Sequence, residues 1–97
     1  MLDLSIVKKR YFPIRFVDGS IINIEPCKLK LIKKFDETSN NPTNEEILDI
    51  IIEILNKNKE KRKFTKKWIY DNLTVDDMEL IYIEYFGWMA QIRKDPN

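Results

Sequence analysis

From Thr43 the chain reads Thr-Asn-Glu-Glu and then Ile47, Leu48, Asp49, Ile50, Ile51, Ile52, Glu53, Ile54, Leu55, and no other stretch limits the fold so tightly. Thr43 can accept a hydrogen bond from the Glu46 amide while the Glu46 carboxylate reaches back to the Thr43 amide, the reciprocal pairing that starts a helix. Behind it Ile47, Ile50, Ile51, Ile54 and Leu55 recur at i, i+3, i+4, i+7 and i+8, the stripe of a helix with one face in a core. The spacing predicts a helix over 43–57. A chain of 97 residues holds one domain and one core, so the other elements must fold onto this stripe.

The first of them is a β-hairpin. Phe12, Ile14 and Phe16 alternate, and Ile22 and Ile24 resume the alternation after Val17-Asp18-Gly19. A three-residue loop with Gly19 in a left-handed conformation pairs Ile14 with Ile22 and Phe12 with Ile24, and puts all five apolar side chains on one face. A two-residue Asp18-Gly19 turn would slip the register by one and split that set. Pro13 has no amide to donate, which suits an edge strand.

Pro26 reads as the first turn of a helix running to Asp36, with Leu29, Ile32 and Phe35 inward and Lys28, Lys30, Lys33 and Lys34 outward. Ser39 to Pro42 is loop. Asn58 to Lys63 is a charged connection, expected to be solvated. Thr65 caps a short helix with Trp68, Ile69 and Leu73 inward, and Thr74 with Asp76 and Asp77 starts the longest helix, the acids suiting its positive end. The expected architecture is a small single α+β domain over residues 1–97: a hairpin at about 11–25, then helices at about 26–36, 43–57, 65–72 and 75–94.

Composition narrows the chemistry. No histidine is present, which removes the commonest general base and metal ligand. Cys27 stands alone, so neither a disulfide within the chain nor a CxxC pair can form, and a reducing compartment is expected. With Gly19 and Gly87 the only glycines, no phosphate-cradling loop can be written. No apolar run nears the roughly 20 residues of a membrane span, and Met1 to Arg10 lacks a leader's apolar stretch. The paired acids Glu45/Glu46 and Asp76/Asp77 are read as helix-start residues, Glu79 and Glu84 as surface acids without a cation-binding loop, and Cys27 as a packed hydrophobe. No cofactor and no catalytic or metal residue is expected.

Two patches stand out. Residues 57 to 67 carry Lys57, Lys59, Lys61, Arg62, Lys63, Lys66 and Lys67 against the single acid Glu60, whereas 68 to 97 carry six acids and two bases. Such a run can meet phosphates, and the two helices after it, with the hairpin as wing, suggest a winged-helix or helix-turn-helix DNA-binding regulator as an alternative. The would-be recognition helix opens on Asp76, Asp77 and Glu79, which would face phosphates, so nucleic acid is disfavoured as a partner. In the last helix Met78, Ile81, Tyr85, Trp88 and Ile92 step by 3 and 4, while Leu80, Tyr82, Ile83, Phe86 and Met89 widen the apolar surface. That is more than one face needs, and aromatics with Met are enriched at interface cores. Tyr82, Tyr85, Phe86, Trp88 and Met89 are therefore expected to form an exposed protein-binding strip, for another protein or a second copy, with the basic run as its electrostatic flank.

The segments Tyr11 to Ser20, with its Asp18-Gly19 turn, Ile24-Glu25-Pro26-Cys27-Lys28-Leu29-Lys30, and Phe64-Thr65-Lys66-Lys67-Trp68-Ile69-Tyr70-Asp71-Asn72-Leu73-Thr74-Val75-Asp76-Asp77 resemble the tail assembly chaperones of tailed bacteriophages. Members of this class share a short "DG" hairpin, a "P-x-K-L-K" helix entry and an "F-T-x-x-x-(I/L)-Y-D-x-L" stretch before the last helix. The resemblance implies a non-enzymatic protein of the host bacterial cytoplasm that binds the long tape measure protein and helps recruit tail tube subunits during virion assembly. A small structural component retained in the particle is the remaining alternative.

Overall fold

The computed structural model describes Leu2, residues 10–38 and residues 41–94, with side chains through 92. Most of the 1–10 stretch, and Ser39 and Asn40 of the expected loop, lie outside them. The order is β1 (Phe12–Arg15), β2 (Ile21–Ile24), α1 (Leu29–Glu37), α2 (Asn44–Leu55), α3 (Lys66–Asn72) and α4 (Val75–Lys94), an α+β domain with a two-stranded antiparallel sheet followed by four helices.

The hairpin takes the longer loop. Phe12 pairs with Ile24 and Ile14 with Ile22, and Gly19 sits at φ 90°, where a side chain would be strained. The Phe16 amide donates to the Ser20 carbonyl and the Gly19 amide to the Phe16 carbonyl, closing the turn. Ile22 and Ile24 are fully buried and Phe16 nearly so, while Pro13 and Arg15 point out.

α2 starts on the reciprocal Thr43/Glu46 pairing and buries Ile47, Leu48, Ile50, Ile51, Ile54 and Leu55, so it is the central post of the core. It stops at Leu55, two residues before the expected end, because the side chains of Asn56 and Asn58 turn the chain away. α4 packs along it, and Thr74 and Asp77 cap α4 by the same reciprocal geometry. α3 is capped by the Thr65 hydroxyl, which accepts from the Trp68 amide, and buries Ile69.

α1 corrects the expected start. The helix begins at Leu29 behind Lys28, and residues 25–28 lie outside it. Pro26 therefore sits before the helix instead of in its first turn. The cause is that Glu25 is held in an extended run, its amide donating to the Lys57 carbonyl and its own carbonyl accepting from Tyr85. This shift turns Leu29 to solvent, 81% exposed, and puts Leu31 in the core with Ile32 and Phe35 packed beside it.

Candidate functional site

The aromatic residues of α4 do not form an exposed strip. Tyr85, Phe86 and Met89 are buried, and Tyr82 and Trp88 are half-buried at the core's margin. Phe12 of β1 meets Tyr85 edge-on at 5.7 Å and Trp88 at 5.6 Å, and Phe35 of α1 stacks on Phe86 at 4.0 Å and touches Tyr82 at 5.3 Å. These residues are the seam that joins α4 to the hairpin and to α1. Periodicity requires that they be covered; Phe12 and Phe35 are what covers them. The Tyr85 hydroxyl donates to the Glu25 carbonyl at 2.9 Å, and burial pushes its phenol far above the usual tyrosine range. Tyr82 is raised more gently, by burial and then by the Glu46 charge.

What α4 leaves open is different. Leu80 and Ile83 are 59% and 67% exposed, and Val17 at the hairpin turn is 99% exposed. Between the turn and the α3–α4 corner lies a cleft of about 190 Å³ walled by Ile14, Phe16, Val17, Trp68, Leu73, Leu80 and Ile81, with Arg15, Asp18, Asn72 and Asp77 also lining it. That volume is below the roughly 300–1,000 Å³ of small-molecule sites, so it suits one or two apolar side chains of a partner.

The cleft is held stiffly. Phe16 lies 5.7 Å from the Phe64 ring and 5.1 Å from the Trp68 ring. Over these three aromatics sits the Arg62 guanidinium, 4.8 to 5.5 Å from their centroids, and its Nη1 donates to the Ser20 hydroxyl at 3.2 Å. Asp18 accepts from both the Ser20 hydroxyl and the Ser20 amide, and these bonds lower its pKa, which keeps a negative charge at the cleft.

Most charged side chains of the basic run are exposed, as its composition suggests, but its backbone is not a free connection. Lys57 and Lys59 pair through their backbone with β2 and the residue after it: the Lys57 carbonyl accepts from the Glu25 amide and the Lys59 amide donates to the Asn23 carbonyl. The segment thus covers the outer edge of β2. Asn58 is buried; its Nδ2 donates to the Leu55 and Arg62 carbonyls and its Oδ1 accepts from the Arg62 amide. Asn56 does the same with the amide and carbonyl of Phe64. Glu60, the lone acid, accepts from the side-chain and backbone amides of Asn23, which lower its pKa in that order.

The expected flank is therefore dispersed. Arg62 belongs to the cleft wall, Lys59 lies over the Tyr11 ring, Lys66 pairs with Asp49 at 3.5 Å and Lys67 with Asp71 at 2.6 Å. Lys57 is half-buried, and Lys61, at φ 64°, and Lys63 are exposed. Among the described residues no three carboxylates or thiols are grouped as a cation's ligands would be, and no helix is long and apolar enough to cross a membrane. Sequence reasoning misses the roles of Arg62, Asn56 and Asn58. One signal points to Val17: an apolar side chain in a three-residue turn has no core within reach.

Comparison with protein-family models, with curated proteins and with solved structures finds no match. The resemblance to tail assembly chaperones stands on its residues alone. Two of its segments, 11–20 and 64–77, contribute both walls of the cleft; only Leu80 and Ile81 come from beyond them.

Proposed function

We propose that this chain is a non-enzymatic tail assembly chaperone of a tailed bacteriophage, one that binds the tape measure protein and helps bring tail tube subunits to it in the host cytoplasm. The observation that supports this reading is the cleft: a preformed apolar notch with an exposed lip at Val17 and Leu80, built from the two segments that carry the resemblance. An amphipathic client helix would seat one or two anchors in it, as in helix-in-groove recognition. Asp18 and Asp77 beside the notch favour a client with Lys or Arg next to those anchors. Shielding such anchors keeps a long helical protein from aggregating before the tube closes around it.

The DNA-binding reading draws on the basic run, from which Arg62 is drawn into the cleft wall, and it would set the acids Asp76 and Asp77 at the start of α4 against phosphates. The test is co-expression with the tape measure protein of the same phage. Wild-type protein should co-purify with it, and Val17→Glu, which alters a fully exposed side chain, should lose it while its far-UV circular dichroism is unchanged. Undiminished co-purification of Val17→Glu would mean that the client does not bind at the cleft. A salt-sensitive gel shift on random duplex DNA, abolished by neutralising Lys61 and Lys63, would favour the regulator instead.

A further inference from the structure

Two open hollows, of about 350 and 510 Å³, meet along Asn56 and Lys57, which line both, and neither shares a residue with the notch. They form one trough from the start of α1, past the end of α2, to the approach to α3. Five lysines line it: Lys28 and Lys30 at the α1 end, Lys57 in the middle, and Lys61 and Lys63 at the α3 end, against the acids Glu25 and Glu53. Glu53 already pairs with Lys34 at 3.6 Å. Among the described residues none of the five lysines has a carboxylate within 4 Å; the ion pairs are made by Lys34, Lys66 and Lys67. Lys61 holds a long side chain at φ 64°, a left-handed backbone that favours glycine. Leu29, between Lys28 and Lys30, stands 81% exposed.

We infer that the trough docks an acidic segment of a partner protein, one that carries an apolar side chain among its carboxylates. Charge complementarity selects the acids: five lysines without carboxylate partners outnumber the two acids beside them. Leu29 selects the apolar side chain, since a phosphate backbone would leave it uncovered. The trough is also poorly made for phosphate. The amides of Lys61, Arg62 and Phe64, which could cradle an anion, already donate to Asn58 and Asn56. The side-chain amides of those two asparagines, the groups that would read base edges, donate to backbone carbonyls. The notch, with Asp18 and Asp77 beside it, favours basic residues, so trough and notch suit segments of opposite charge. The trough therefore takes a partner other than the notch's client, and it stands whatever that client is.

Fluorescence anisotropy tests this with a labelled peptide of Glu and Leu at helical spacing, beside the same peptide with Lys for Glu and a labelled duplex DNA. Wild-type protein should bind the acidic peptide at low ionic strength, lose affinity as salt rises, and leave the lysine peptide unbound. Lys28→Glu and Lys30→Glu should each weaken binding about threefold or more and together about tenfold or more, and Leu29→Ser about threefold or more. Lys61→Gly should weaken binding while raising the melting temperature, because glycine relieves the left-handed backbone. Lys67→Glu, the same charge change outside the trough, and Val17→Glu at the notch should leave binding unchanged. Lys28, Leu29, Lys30 and Lys61 are exposed, and circular dichroism checks the folding of each variant. No binding of the acidic peptide, an equal loss in Lys67→Glu, or binding that Leu29→Ser leaves untouched would overturn the proposal. Tighter binding of the duplex, insensitive to Leu29→Ser, would overturn it in favour of a nucleic-acid surface.

Discussion

Asn58→Ala is the substitution that reads most directly on how the chain around the cleft is held. The Asn58 side chain makes three hydrogen bonds, at 2.7, 2.7 and 2.8 Å, to the Leu55 carbonyl and to the Arg62 carbonyl and amide. At about 1 kcal/mol net for each, the loss is roughly 3 kcal/mol, because alanine leaves backbone groups near the core without partners. Against a total stability of about 5–15 kcal/mol that is a large fraction. It lowers the melting temperature by about 12–24 °C, at about 4–8 °C per kcal/mol for a domain of this size. Asn58→Asp should fare no better at pH 7: it keeps the acceptor for the Arg62 amide but sets a carboxylate oxygen against two carbonyls. Protonation relieves that clash, so this variant recovers on acidification relative to Asn58→Ala. Urea titration followed by circular dichroism measures both. A cost for Asn58→Ala within about 0.5 kcal/mol, the range of ordinary surface changes, would refute the view that this segment is built into the sheet.

Three further outcomes follow from the structure. Tyr85 keeps its proton in the fold to a higher pH than in the unfolded chain, so its contribution to stability should be constant up to about pH 10 and then fall by up to about 1.4 kcal/mol per pH unit, and Tyr85→Phe should remove that part of the alkaline slope. Gly19→Ala should destabilise by about 1 kcal/mol because it forces a side chain to φ 90°, whereas Gly87→Ala should stabilise the fold by a similar amount; thermal melts of the pair read both. The Glu60 carboxylate should titrate by NMR below the ordinary Glu range and move upward in Asn23→Ala, and the support it lends the fold is lost as pH falls through its folded-state value.

Elements whose cause is local are legible in the residues themselves. The Thr43/Glu46 box and the Ile47 to Leu55 stripe declare α2, and the alternation broken at Asp18-Gly19 declares both hairpin and register, since only one loop length keeps five apolar side chains together. Where a distant partner decides, local pattern misleads. Pro26 opens a helix in isolation, but Tyr85, 60 positions away, holds the Glu25 carbonyl in an extended run. The aromatic residues of α4 do need cover, yet helical spacing says only which residues share a face, and Phe12 and Phe35 decide that this face is inside. Asn56, Asn58 and Glu60 shape the basic segment through side-chain bonds to backbone, which leave no periodic trace. Arg62 counts as one cation among seven in the sequence because charge counting cannot see that it lies on three aromatic rings. The cleft has no sequence signature because its walls come from separate segments, and only the apolar Val17 in a turn hints at it.

If the notch beneath Val17 receives the client, a photo-activatable aromatic residue placed at position 17 lies against it. The site is 99% exposed, so the probe leaves the fold undisturbed. On irradiation with the tape measure protein present, position 17 should yield a cross-linked adduct, and the same probe at position 30, on the exposed lysine face of α1, should not. Adducts from position 30 with none from position 17 would place the client on α1 and not in the notch.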